Sequence, residues 1–241
     1  MLRFEAFGVG SRPSRPKTAG TQTVFEPGFT ENEGGSSLSR GGKVVREAAV
    51  STNPKTFLTP EQYLEIERKA EFKSEYFDGV MFTMAGAKEA HNLLAMNVGF
   101  ALHPQLRSRP CRIYANDMRV RVSATVLYTY PDVIAVCGER HFLDDQRDTL
   151  LNPNLIVEVL SPTTEAYDRG RKFEYYKAIE SFTEYLLISS DRVHVDLFRR
   201  QRDGDWLLKS AERMEDVFEL QSVGCRLSLA DLYEQVEMAT S

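Results

Sequence analysis

Tyr130-Pro131-Asp132-Val133-Ile134-Ala135-Val136 and Leu155-Ile156-Val157-Glu158-Val159-Leu160 are two short β-prone runs, each with one carboxylate in an apolar setting. A lone carboxylate inside such a run costs several kcal/mol unless it is paired or bound to a cation. A basic, amphipathic stretch comes after them, Arg169-Gly170-Arg171-Lys172-Phe173-Glu174-Tyr175-Tyr176-Lys177. Two carboxylates on strands with a lysine nearby are the elements of a cation site.

The remaining chain sets limits on that reading. At 241 residues, 42% hydrophobic and 27% charged, it can bury a full core as one domain, or as one domain plus a tail. No apolar run reaches the length of a membrane span, and no signal-type apolar segment opens the chain, so a cytoplasmic protein without a membrane partner is expected. Cys111, Cys137 and Cys225 are odd in number and form no CxxC pair. They are expected to be small apolar fillers in a reducing compartment, with no disulfide framework and no zinc site. The net charge of −5 argues against tight binding to nucleic acid by bulk electrostatics. Local basic groups or bound cations can still dominate at a site.

Residues 1–55 differ in character from the rest of the chain. They hold eight of the 15 glycines, in pieces such as Gly34-Gly35-Ser36-Ser37, and show no sustained periodicity. This predicts a disordered tail. A spurious extension, with the true start near Val50, and a basic arm around Arg12-Pro13-Ser14-Arg15-Pro16-Lys17 are the other readings.

Residues 56–238 are expected to fold. Thr59-Pro60-Glu61-Gln62 is a capping box with proline at the first helical position. Residues 75–84 read as a hairpin around Asp78-Gly79. Leu94, Ala95, Val98 and Leu102 mark a helix over 88–106. Strands are expected at 111–115 and 118–123, from Asp132, around Glu158, at 185–188 and over 192–198, where Val193, Val195 and Leu197 face one way and His194 and Asp196 the other. Asp203-Gly204 makes a turn, and helices are expected at 168–180 and 228–236. This order predicts an α/β fold, a mixed β-sheet flanked by helices in three layers.

Phosphodiester hydrolysis needs activated water and neutralised phosphate charge, and a divalent ion supplies both. Hard ions such as Mg²⁺ take carboxylate and carbonyl oxygens. Asp132, Glu158 and the carbonyl of Val159 are candidate ligands, with Lys172 beside them to orient water or stabilise developing charge. Pro131-Asp132 followed by Glu158-Val159-Leu160 resembles the PD-(D/E)XK nuclease superfamily. Residues 57–236 further resemble the Uma family of restriction endonuclease-like proteins. The matching pieces are Leu58-Thr59-Pro60-Glu61-Gln62-Tyr63, Glu75-Tyr76-Phe77-Asp78-Gly79, Tyr130-Pro131-Asp132-Val133, Glu158-Val159-Leu160-Ser161-Pro162-Thr163-Thr164, Asp168-Arg169-Gly170-Arg171-Lys172 and Glu184-Tyr185-Leu186. The resemblance implies a restriction endonuclease-like core and a metal-dependent endonuclease. Mg²⁺ or Mn²⁺ would be its cofactor, DNA its substrate, and a homodimer its possible assembly. The superfamily lysine lies two residues after the glutamate, where this chain has Leu160. Lys172 on the following helix is the matching position.

Each candidate has a plainer reading. Glu158 can pair structurally with Arg119, Arg121 or Lys172, and Pro131-Asp132 can simply open a strand. Lys172 can be a solvated helix lysine, with Arg169 or Arg171 in its role. Glu75 is a candidate third acidic group or a surface carboxylate. His91 is a phosphate donor or base, or a capping residue. Tyr175 and Tyr176 read as core. A catalytically inactive DNA-binding or regulatory module of the same fold, and a hydrolase of small phosphate esters, remain as alternatives. No GxxxxGK[ST], HExxH or GxSxG is present, so a nucleotide cofactor, zinc-protease chemistry and a serine triad have no motif support.

Overall fold

A computed structural model of the chain describes residues 57–238. The reading of residues 1–55 as a disordered or spurious extension lies outside the described residues. Helix α1 (Pro60–Glu67) begins at the expected capping box, in which Thr59 accepts from the Gln62 amide and Gln62 accepts from the Thr59 amide. The hairpin β1 (Ser74–Phe77) and β2 (Val80–Thr83) closes through Asp78 and Gly79, both at positive φ. Helix α2 (Glu89–Leu106) buries Leu94, Ala95, Val98, Leu102 and Leu106. The chain continues through β3 (Cys111–Ala115), β4 (Arg119–Val122), β5 (Leu127–Thr129), β6 (Val133–Cys137), β7 (Thr149–Leu150) and β8 (Leu155–Leu160). A short helix α3 (Glu165–Tyr167), a π-turn (Asp168–Lys172) and α4 (Phe173–Tyr176) come next. Strands β9 (Glu184–Ser189), β10 (Val195–Arg200), β11 (Trp206–Ala211), β12 (Val217–Leu220) and β13 (Cys225–Ser228) lead to α5 (Leu229–Leu232).

The strands form a six-stranded mixed sheet, β11-β10-β9-β8-β6-β3, a five-stranded sheet, β2-β1-β5-β4-β7, and the β12-β13 ribbon. β8 runs parallel to β9 and antiparallel to β6, and all six of its residues are buried. Alternation along β8 divides the interior. Leu155, Val157 and Val159 pack with α2 and α5, while Ile156 and Leu160 pack with α4 residues Phe173 and Tyr176 and with Val120, Val122 and Leu127 of the five-stranded sheet. The α/β architecture, with helices on both faces of the mixed sheet, is therefore as expected, and a second sheet completes the face that carries Glu158. Tyr63 of α1 stacks on Tyr76 and packs with Tyr128 in a separate small core. Among the described residues no helix is long and apolar enough to cross a membrane.

Two expectations are corrected. Cys111 and Cys137 lie directly opposite each other on β3 and β6 and are joined by a disulfide, so these two are not reduced fillers. The antiparallel register brings them together, and no local Cys motif announces it. Cys225 is buried and free, as a filler would be. The helix expected over 168–180 starts earlier and ends earlier, and it contains the π-turn.

The disulfide closes a loop of sequence separation 26. Reduction, or Cys111→Ser, should lower stability by about 3.5 kcal/mol in the chain-entropy account, read as a fall in the denaturation midpoint on adding a thiol. On the five-stranded sheet, Asp148 accepts from Arg68 at 2.8 and 3.0 Å and lies 2.7 Å from the buried Arg119. Burial pushes the Asp148 carboxyl up, but the Arg68 fork and the Arg119 charge more than reverse this, so it titrates below the ordinary carboxylate range. The folded state thus binds its proton less readily than the unfolded state. The stabilisation is complete above about pH 4 and is lost as pH falls through the depressed value. Asp148→Asn should cost about 1–2 kcal/mol at neutral pH, with the difference from the parent shrinking below about pH 4 in denaturation curves taken across pH.

Candidate active site

The site forms where one strand ladder stops. β6 and β8 pair as Val133↔Val157 and Ala135↔Leu155, and continuing that register would set Asp132 opposite Glu158 and Pro131 opposite Val159. Pro131 has no N–H to give to the Val159 carbonyl, so the ladder is not completed at this rung. The Val159 amide instead donates to Asp132 Oδ2 at 2.7 Å. A strand residue presents its N–H and C=O to the same side, so the Val159 carbonyl faces this gap as well.

Glu158 points from the same strand into the opposite face. Its Oε1 forms an ion pair with Lys172 Nζ at 2.9 Å and accepts from the Tyr176 hydroxyl at 2.8 Å. The Lys172 ammonium also lies 3.4 Å from Glu75 Oε1 and 3.5 Å from Asp168 Oδ1. Glu75 comes from β1 and accepts a short hydrogen bond from the Thr129 hydroxyl of β5. Asp168 and Lys172 stand four residues apart on the π-turn, which presents both to one point. On the far side of Asp132, His91 Nε2 lies 3.3 Å from Oδ2, brought there by the first turn of α2. Asp132, Glu158, Lys172 and Glu75, read from the sequence, thus converge, and the Val159 main chain joins them. His91 belongs to the same constellation. Asp168 and Thr129 were missed, and Tyr176, read as core, also holds Glu158. The i, i+4 spacing of Asp168 and Lys172 was the available signal for Asp168.

Glu158 and Lys172 are both buried, at 4% and 5% exposure. Burial pushes the Glu158 carboxyl well above its ordinary range, and Asp168 and Asp132 add to this against the pull of Lys172. Asp168 is raised for the same first reason, with Glu75 and Asp132 contributing. Burial alone would discharge Lys172, but Glu158 and Glu75 reverse that and hold it as an ammonium. Burial lowers His91, and the Asp132 hydrogen bond and charge outweigh it, so the imidazole takes a proton more readily than usual. Four carboxyl groups therefore face one ammonium and one imidazole.

This surplus of acidic oxygen is the chemistry of a hard-cation site. Among the described residues no three His, Cys, Asp or Glu side chains form a ready cage. Asp132 Oδ1 and Glu158 Oε2 make no hydrogen bond among the described residues, and the Val159 carbonyl lies beside them. Mg²⁺ is commonly held by one or two carboxylates, with water and substrate phosphate completing its shell, and the donor set fits that pattern.

The sequence model described as "Uma2: Putative restriction endonuclease" matches residues 60–230. The chain belongs to the Uma2 family. An uncharacterized protein of Synechocystis sp., slr1290, is 37% identical over 178 residues, which span 73% of this chain and 91% of that protein. A second from the same organism, sll1609, is 36% identical over 151 residues, spanning 63% and 85%. The fold matches the crystal structure of a "putative nuclease belonging to DUF820" from Anabaena variabilis, with TM-score 0.59 and 18% identity over 75% of this chain and 99% of that one.

Removing the ammonium should expose the electrostatic cost of the cluster. Lys172→Met leaves buried carboxyls without their cation and should destabilise the fold by about 3–5 kcal/mol. Mn²⁺ should recover part of that loss, seen as a larger metal-induced rise in melting temperature for the variant than for the parent.

Proposed function

We propose that this Uma2 family member is a metal-dependent endonuclease that hydrolyses DNA phosphodiester bonds, with residues 56–238 as its nuclease domain. The observation that carries the reading is the meeting of Asp132, Glu158, Glu75 and Asp168 around the Lys172 ammonium at the end of the β6–β8 ladder. Asp132, Glu158 and the Val159 carbonyl would hold Mg²⁺ or Mn²⁺. When bound, the ion supplies acidification of water and neutralisation of phosphate oxygens.

The chain's own groups account for the rest. Lys172 is fixed between Glu158, Glu75 and Asp168, so its ammonium can donate to a phosphate oxygen as negative charge grows there, with little reorganisation. Tyr176 holds Glu158 Oε1 in place and leaves Oε2 for the cation. His91, charged more readily because of Asp132, stands where a proton could be given to the departing oxygen. Arg171 is exposed beside Lys172 and has no carboxylate partner among the described residues, which suits it to a flanking phosphate. Cutting both strands of a duplex calls for two such sites, which a homodimer would provide.

Purified full-length protein should nick or linearise plasmid DNA with Mg²⁺ or Mn²⁺ and not with EDTA. Asp132→Ala and Glu158→Ala should abolish cutting, and Lys172→Ala should lower the rate about 10²–10³-fold. Asp168→Asn should weaken Mn²⁺ binding measured by calorimetry. Metal binding and folding retained without cleavage of any DNA form would turn the reading to the inactive DNA-binding module.

A further inference from the structure

The rim of the site carries aromatic rings that the chemistry above leaves unused. The β1–β2 register sets Phe82 directly opposite Glu75, so both side chains leave the same face of the hairpin. Glu75 turns inward to Lys172, whereas Phe82 is 53% exposed, and β2 is the edge strand of its sheet. Tyr167 immediately precedes Asp168 and is 38% exposed. The rim also offers exposed cations. Arg171 lies on the π-turn and Lys88 precedes α2 one turn before His91, and neither has a carboxylate partner within the described residues.

Exposed rings interleaved with unpaired cations are how proteins hold single strands, because rings stack on bases while cations track phosphates. In an intact duplex the base faces are already stacked and out of reach. We propose that Phe82 and Tyr167 form a stacking platform for unpaired nucleobases, so that the substrate is a single-stranded or locally opened DNA segment. This rests on the nuclease reading and adds the form of substrate to it.

The test uses full-length Asp132→Asn protein, silenced for cleavage, and a short labelled oligonucleotide followed by fluorescence anisotropy as a single DNA strand, as a paired duplex and as the RNA strand of equal sequence. Phe82→Ala and Tyr167→Ala should each weaken single-strand DNA binding about five- to tenfold. Phe82→Trp should restore it, and duplex affinity should change less than about twofold since its bases offer no free face. Phe100→Ala removes another exposed phenylalanine, on the opposite face of α2 from His91, and should change nothing. Unaltered single-strand binding in both platform variants, or a preference for the duplex or for RNA, overturns this proposal alone. Failure of the parent protein to bind any of the three overturns the nuclease reading with it.

Discussion

The Lys172 ammonium is the interaction on which the site depends. It touches Glu158 of the central strand, Glu75 of the first hairpin and Asp168 of its own π-turn. One charge therefore fastens the six-stranded sheet, the five-stranded sheet and the helical connection between β8 and β9 to each other. Without it, these acidic groups would approach one another in a region shielded from water, where repulsion is weakly screened. With it, they still outnumber their cations. That imbalance exceeds what a stabilising ion pair needs, and it fits the proposed cation site.

The second constraint is the loss of one backbone donor. Pro131 ends the β6–β8 ladder, and the Val159 amide turns to the Asp132 carboxylate instead. The hydrogen bond that would have belonged to the sheet now orients the Asp132 carboxylate. The same proline leaves the Val159 carbonyl without a ladder donor at the gap that His91 also faces, and the neighbouring Asp132 carboxylate fills part of it. The sheet continues on the other edge of β8, where the parallel pairing with β9 runs from Leu155↔Glu184 to Leu160↔Ser189. The gap is thus held open by a rigid strand.

Most of the scaffold was legible because its signals are local. The Thr59 capping box, the Asp78-Gly79 hairpin and the apolar face of α2 each rest on contacts within a few residues. The carboxylates Asp132 and Glu158 stood out because a charge in a buried strand demands an explanation. The features that sequence reading missed are non-local. The Cys111–Cys137 bridge arises from the register of β3 on β6, which no spacing rule encodes. Strands β5 and β7 are short, and pairing with β1 and β4, far along the chain, helps to define them. Asp168 looked like one charge among several in a basic stretch, and only the π-turn reveals that it shares a face with Lys172.

The position of the lysine also has a physical account. Residue 160 lies on the same face of β8 as Glu158, as the superfamily pattern needs, yet Leu160 is 2% exposed and packs in the cluster with Phe173 and Tyr185. A lysine there would displace apolar packing and bring its charge in from the strand itself. Lys172 reaches Glu158 from the opposite wall, across the cluster and not along the strand. Its reach is set by the π-turn, whose wider winding keeps Lys172 over Asp168 while Phe173 returns to the core against Tyr185 and Phe198. The distance from ammonium to carboxylate is thereby kept while the strand stays apolar at residue 160. A departure in sequence pattern is in this fold a change of supporting element, with the charge delivered to the same glutamate.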